Sequence, residues 1–342
     1  MYSLLRRALF MLEPERAHSL ALAMAQVAHR SGLLFRTPDE PQPVIAMGLR
    51  FANRVGLAAG FDKNGRYVDA LAALGFGFVE VGTVTPRPQA GQPLPRLFRL
   101  PQSDALINRM GFPNDGADVV AARLARRRSK SMCGAVCGVN IGKNASTPNE
   151  QAIDDYVACL RKLAPYADYI AVNVSSPNTQ DLRQLQRIDH LQPILEALLA
   201  ERDALAASTG RRIPLLTKIS PDVTQDELLD LARMMMRLQM DGVIATNTTV
   251  TRPGVEDDPL RAQRGGLSGA PLRPLALRTV ETLRSVFEGR IAIVGVGGVG
   301  SAADAHAMLE AGADLLQIYT AMIYRGPRLV HEMVREIRRL TS

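Results

Sequence analysis

The sequence predicts an α/β protein: a closed parallel (β/α)8 barrel, the TIM barrel, preceded by a two-helix extension. Two observations carry this reading. Eight short apolar runs recur along the chain, each separated from the next by enough residues for a helix. Most of them end in glycine, asparagine, threonine or lysine. Strict alternation of strand and helix over roughly 250 residues argues for parallel strands closed on themselves. That fold gathers every strand's carboxyl end at one mouth, so polar strand ends read as one site.

The extension comes first. Leu4-Leu5, Ala8-Leu9 and Leu12 recur at helical spacing, and Pro14 is a good helix start. From Glu15 to Arg30, Ala17, Leu20, Ala21, Met24, Val27 and Ala28 share a face, and Leu33, Leu34 and Phe35 follow. Arg6, Arg7, Arg16, Arg30 and Arg36 outnumber Glu13 and Glu15. Two basic amphipathic helices either cap the barrel or lie in a membrane interface. No apolar run approaches the roughly 18 residues needed to span a bilayer. The apolar part of residues 8–12 is too short for a secretory signal. Pro38, Pro41 and Pro43 mark a linker. Residues 1–40 are expected to form the helical extension and residues 44–342 the barrel.

The strand runs follow in order. Val55 to Ala58 leads into Ala59-Gly60-Phe61-Asp62-Lys63, and Phe78 to Val81 leads into Gly82-Thr83. Ala135 to Val139 ends in Asn140, and Tyr169 to Val172 ends in Asn173-Val174-Ser175-Ser176-Pro177-Asn178-Thr179. Leu215 to Ile219 carries Lys218 inside an apolar run. Val243 to Ala245 ends in Thr246-Asn247-Thr248, Ile291 to Val294 in Gly295-Val296-Gly297-Gly298, and Leu315 to Ile318 in Tyr319-Thr320.

Bulk properties fit. The 342 residues, 46% apolar and 22% charged, can bury one large core. Cys133, Cys137 and Cys159 form neither a disulfide framework nor a metal-ligand set, which fits a reducing compartment. The net charge of +7 raises the question of nucleic acid, but no recognition motif accompanies it. The densest basic run, Arg126-Arg127-Arg128-Ser129-Lys130, reads as a solvated helix end.

The strand ends point to chemistry. Glycines after the seventh strand, with Tyr319-Thr320 and Arg325-Gly326-Pro327 beyond the eighth, suit a phosphate held by backbone N–H groups. Lys218 should point into the mouth, where it suits an electron-rich ring; the alternative is an interior lysine paired with a carboxylate. Asn108, Asn173, Asn178 and Asn247, with Lys63 and Thr248, offer donors and acceptors to a small anionic ligand carrying amide or imide groups. None of the five histidines lies at a strand end, so Ser176 is the best-placed general base, with Thr179 as a relay candidate.

The sequence resembles the dihydroorotate dehydrogenase family. The resemblance rests on Ala58 to Gly65, Glu80 to Pro88, Asn108 to Phe112, Val139 to Asn144, Asn173 to Thr179, Ala245 to Thr248, Gly265 to Gly269 and Val294 to Gly298. It runs from about residue 1 to 340. The N-terminal helices and the serine at position 176 resemble the class 2, membrane-associated, quinone-reducing members. Phe61, where relatives often have leucine, is a conservative departure.

The resemblance implies oxidation of dihydroorotate to orotate in pyrimidine synthesis, with one FMN per chain and a membrane quinone as acceptor. It places FMN against Ala59, Gly60, Phe61, Asp62, Lys63, Thr83, Asn140, Asn173, Lys218, Thr246, Gly269, Gly298, Tyr319 and Thr320. Substrate would meet Lys63, Asn108, Arg109, Met110, Gly111, Phe112, Asn173, Asn178, Asn247 and Thr248. Ser176 would remove the C5 proton as hydride leaves C6. Quinone would enter near His18, Arg99 and Tyr319. The implied location is peripheral, at the cytoplasmic face of the cell membrane, with no nucleic acid, metal or iron–sulfur subunit.

Two other readings stay open. A tRNA dihydrouridine synthase would be expected to use a cysteine acid in a loop and an RNA-binding extension, and neither Cys133 nor Cys137 is well placed for that. A non-catalytic basic protein of the membrane surface would not need eight polar strand ends.

Overall fold

The computed structural model describes residues 2–34, 43–128, 135–179 and 182–341. Helices α1 (Tyr2–Phe10) and α2 (Pro14–Arg30) open the chain. Strands β1 (Val44–Ala46) and β2 (Leu49–Phe51) form a hairpin. Then come β3 (Val55–Asp62), α3 (Val68–Ala72), β4 (Phe78–Val84), β5 (Leu97–Leu100), β6 (Ala105–Asn108), α4 (Ala117–Arg128) and β7 (Val136–Ile141). Helix α5 (Ala152–Leu163), β8 (Tyr169–Asn173), α6 (Ile188–Thr209), β9 (Leu215–Ile219), α7 (Gln225–Arg237) and β10 (Gly242–Ala245) follow. The chain ends with β11 (Gly266–Gly269), α8 (Arg273–Phe287), β12 (Ala292–Val296), α9 (Ala302–Glu310), β13 (Leu315–Ile318), α10 (Thr320–Arg325) and α11 (Arg328–Thr341).

The eight expected strands, β3, β4, β7, β8, β9, β10, β12 and β13, pair in that order and close into a parallel barrel. They read as unbroken apolar runs because helices cover one face and the barrel interior covers the other. Strands β3 and β4 run further than the apolar pattern indicates, through Ala59 to Asp62 and Gly82 to Val84, with register shifts in both. Helix ends follow local chemistry. Glu13 accepts from the Arg16 N–H before Pro14, Thr224 and Glu227 form a capping box on α7, and Gly210 at φ 70° ends α6.

Two features are absent from the sequence expectation. The β1–β2 hairpin places Phe51 edge-on to Phe78, with ring centroids 5.3 Å apart, and closes the barrel's amino end. A second, antiparallel sheet of β11, β6 and β5 lies apart from the barrel. Asn108 therefore ends β6. These strands have three or four residues each, too few for a periodicity, and β6 finds its partner β11 far along the chain.

The basic run follows expectation at Arg126 and Arg128, exposed at the end of α4, and departs from it at Arg127. Arg127 is 14% exposed and paired with Asp69 at 2.8 Å, and Arg128 lies 3.9 Å from Asp168. Arg127 thus ties α4 to its neighbour through Asp69, while the Arg128 side chain stays 47% exposed. Ser129, Lys130 and Cys133 lie outside the described residues, as do Phe35, Arg36, Pro38 and Pro41 and with them the linker between the two expected units.

The extension docks by polar contacts. Tyr2 Oη donates to the Ile323 carbonyl at 2.6 Å, Arg6 to Tyr324 at 2.8 Å, and Arg99 to Phe10 and Leu12 at 3.2 and 3.0 Å. Arg96 grips Glu15 through two bonds of 2.8 and 3.0 Å. Leu4, Met11, Val27 and Leu33 stay exposed.

Inside the barrel, rings take the room that glycines leave. A Cβ on Gly138 would sit 2.0 Å from Tyr169 Cζ, and one on Gly56 would sit 2.3 Å from Phe78 Cζ. Gly138→Ala should therefore destabilise the fold by about 1–3 kcal/mol through overpacking. Urea unfolding measures this, and an unchanged midpoint would contradict the packing account.

Candidate active site

The polar floor of the barrel mouth starts at Glu80. This residue lies on β4 and is fully buried. Its carboxylate accepts from Asn140 Nδ2 at 2.9 Å, Tyr169 Oη at 2.8 Å and Gln317 Nε2 at 2.7 Å. A carboxylate only accepts, so it decides which way the Asn140 amide faces. Asn140 Oδ1 then accepts from Thr83 Oγ1 at 2.5 Å and Asn173 Nδ2 at 3.2 Å. Asn173 Oδ1 in turn accepts from Ser175 Oγ at 3.3 Å and Asn247 Nδ2 at 3.4 Å. Strand ends from β4, β7, β8 and β10 are thus wired together.

Above this floor lies a cavity of about 330 Å³. It is lined by Ala59, Gly60, Lys63, Thr83, Asn173, Lys218, Thr246, Gly269, Gly298, Tyr319 and Thr320. Asn108, Met110, Gly111, Phe112, Ser176, Asn178, Asn247 and Thr248 line the same space. Burial pushes the Lys218 amine below its usual range, and the Glu80 charge opposes that shift. Lys63 is pushed down to about 8 by burial, against support from Glu15. Gly297 and Gly298 stand at φ 132° and 72°, where a side chain is strained, and a Gly298 Cβ would meet Arg273 Cβ at 2.5 Å.

A phosphorylated planar ring fits this donor set. Three buried polar atoms on the cavity lining, Gln317 Oε1, Asn178 Oδ1 and Thr248 Oγ1, have no protein hydrogen-bond partner. Such atoms ask for a ligand or water. Lys218 adds positive charge, Arg273 stands paired with Asp304, and the Gly297-Gly298 turn exposes backbone.

Four expected contacts do not reach the cavity. Asp62 turns its buried carboxylate onto the N–H groups of Asn64, Arg66 and Tyr67, capping its own loop. Phe61 packs edge-on between His18 and Tyr319, at 4.8 and 5.4 Å. Asn140 sits one layer down, holding Thr83 and Asn173. Arg109 faces away, bonded to the Pro95 carbonyl at 2.7 Å and to Gln263 at 3.0 Å. Ser176 is buried and its Oγ accepts from the Asn178 N–H at 3.2 Å. Thr179 Oγ1 is buried without a partner, so no direct hydrogen bond links it to Ser176. Cys137, buried and pushed up to about 12, is no acid for the mouth.

The description of the Dihydroorotate dehydrogenase family matches residues 43–340. The chain belongs to this family. The dihydroorotate dehydrogenase (quinone) of Alkalilimnicola ehrlichii is 52% identical over 342 residues, 98% of this chain and 99% of that protein. The enzyme of the same name from Stenotrophomonas maltophilia is 52% identical over 341 residues, 99% of this chain and 96% of that protein. A crystal structure of DHODH from Eimeria tenella in complex with ferulenol superposes with a TM-score of 0.87 at 39% identity, covering 94% of this chain and 91% of that one.

In this member of the dihydroorotate dehydrogenase family a second cavity, of about 290 Å³, lies under α2. His18, Glu15, Arg96 and Leu97 line it, and Lys63, Met110, Pro113 and Tyr319 line both cavities. Arg99 does not reach it; its guanidinium sits 4.5 Å over the Phe10 ring and bonds the turn between α1 and α2. Apolar contacts from Phe10, Leu97 and Tyr324 to Tyr319 run alongside.

Glu80, Gln317 and the Glu15–Arg96 pair are absent from the expected site. Glu80 and Gln317 carried the same signal as Lys218, a polar side chain inside an apolar strand run. His18, assigned to a helix away from strand ends, in fact bonds the strand-end carbonyl of Phe61 at 2.8 Å.

Burial first, then the Lys63 charge, lowers the His18 imidazole from 6.5 to about 3. The folded chain keeps it neutral while the unfolded chain protonates below about 6.5. Stability is therefore full above that pH and is lost as pH falls toward about 3. His18→Asn should flatten the stability–pH curve between those limits by about one proton. Urea midpoints across acid pH measure it, and equal slopes in both proteins would contradict a neutral His18 bonded to the Phe61 carbonyl.

Proposed function

We propose that the chain oxidises (S)-dihydroorotate to orotate in pyrimidine synthesis and passes the electrons to a quinone. Family membership supports this. The observation that carries it is one cavity lined by both sets of groups. Lys218, Thr246, Gly298 and Thr320 suit a phosphorylated flavin, while Ser176, Asn108, Asn178 and Asn247 suit a small amide-bearing anion. FMN held there supplies the two-electron acceptor between dihydroorotate and quinone.

The chain's own groups do the rest. Asn108, Asn178 and Asn247 present donors and acceptors that orient the ring amides of the substrate. Lys63, still charged below about pH 8, offers a cation to its carboxylate. Lys218, on the cavity lining, would offer its positive charge to a bound flavin. Ser176 takes the proton from C5 while C6 gives up hydride. Its burial keeps water from competing, and Thr179, three residues on, buried and unpartnered, is the relay candidate.

Helices α1 and α2 serve the acceptor side. His18 and Tyr319 border the quinone approach, and exposed Leu4, Met11, Val27 and Leu33 form an apolar face for a membrane interface at its cytoplasmic side. Among the described residues no helix is long and apolar enough to cross a membrane. Sedimentation with anionic liposomes tests this, and a protein left wholly in the supernatant would contradict it.

Anaerobic dihydroorotate should bleach the yellow protein, and quinone should restore its colour. A colourless protein, or a flavin indifferent to dihydroorotate, contradicts the function. Ser176→Ala should keep FMN and bind orotate but slow flavin reduction by roughly 10²–10⁴. Stopped-flow reduction within about threefold of wild type would remove Ser176 from the base role.

A further inference from the structure

We propose that Glu80 is a positioning residue for the cofactor side of this cavity: its carboxylate fixes the Asn140 amide and is the negative charge that acts on the Lys218 amine. The inference rests on the reading of the cavity as a flavin site.

Glu80 has no exposure, and a buried carboxylate without partners is strongly unfavourable. Its donors come from three other strands: Asn140 on β7, Tyr169 on β8 and Gln317 on β13. Through Asn140 it orients both Thr83 and Asn173, which line the cavity. An amide at position 80 would put an NH2 where two acceptor oxygens now stand, against at least one donor.

The charge on Glu80 also reaches Lys218. Burial drives that amine toward its neutral form, and Glu80 is the group whose charge opposes this. Lys63, Asp104, Arg273, Asp304 and Arg325 are the other charged groups on the cavity lining, and Arg273 and Asp304 pair with each other. The strands flanking β9 bring no further charge, since Lys218 stands between Asn173 and Ile244 in register. The Tyr169 hydroxyl is held well above its ordinary range, first by burial and then by Glu80, so it stays neutral. Without Glu80, burial acts on Lys218 unopposed, and the amine loses its proton at lower pH.

The test is FMN dissociation, followed by flavin fluorescence from about pH 6 to 9, across the range where a depressed lysine titrates. Wild type is compared with Glu80→Gln, Glu80→Asp, Lys218→Met and the Glu80→Gln/Lys218→Met double variant. Glu80→Gln should bind FMN about tenfold or more weakly, as for a lost charged hydrogen bond, with the gap widening as pH rises. Glu80→Asp keeps the charge and should recover most of the affinity. In the Lys218→Met background, Glu80→Gln should add no pH dependence.

A folded Glu80→Gln whose dissociation matches wild type at every pH would overturn the proposal. So would a double variant as pH-sensitive as Glu80→Gln alone. Should Glu80→Gln fail to fold, Glu80→Asp decides: a small shift of the affinity curve to lower pH supports the role, and superposition on wild type overturns it. A wild-type chain that binds no FMN overturns the functional reading and this inference with it. Normal FMN binding with the Glu80 variants unchanged overturns the inference alone.

Discussion

The Glu80 carboxylate sits inside the barrel with no solvent contact and accepts hydrogen bonds from β7, β8 and β13. Isolated burial of that charge would cost several kcal/mol. The three donors offset much of the cost and lock four strands into one polar layer, and the Lys218 amine supplies an opposing charge. Asn140, Asn173, Thr83 and Asn247 take their orientations from that layer in sequence. The mouth is therefore built on a charge that does not itself line the cavity.

Packing below the layer makes it possible. Gly56 and Gly138 leave room for the Phe78 and Tyr169 rings, and Tyr169 carries its hydroxyl to Glu80. Phe51 from the hairpin seals the amino end against Phe78. Apolar rings thus occupy the lower barrel and polar groups the upper, so the chemistry collects at the carboxyl ends of the strands. The extension is joined to this mouth by the Glu15–Arg96 pair and by His18, whose neutral ring bonds the Phe61 carbonyl.

The barrel was legible because its strands are continuous apolar runs spaced for helices. The convergence of Lys218, Asn173, Asn247 and Ser176 was legible because each ends or interrupts such a run. Asp62, Phe61 and Arg109 were harder. Each stands in a stretch that reaches the cavity, but side-chain direction depends on register shifts and loop turns that periodicity does not encode. The sheet of β5, β6 and β11 was illegible for another reason: its strands are too short to carry a period, and β11 pairs across a long stretch of chain. Glu80 lay in plain view, in the same pattern that singled out Lys218.

The central claim is that this polar layer is the floor of a flavin site shared with a small anionic substrate. A crystal structure of the purified chain with FMN and orotate tests it most directly. The account predicts one FMN per chain, with Lys218 and Gly298 against it, and orotate stacked beside it within reach of Ser176, Asn108 and Asn247. Flavin bound elsewhere, or orotate remote from Ser176, would contradict it.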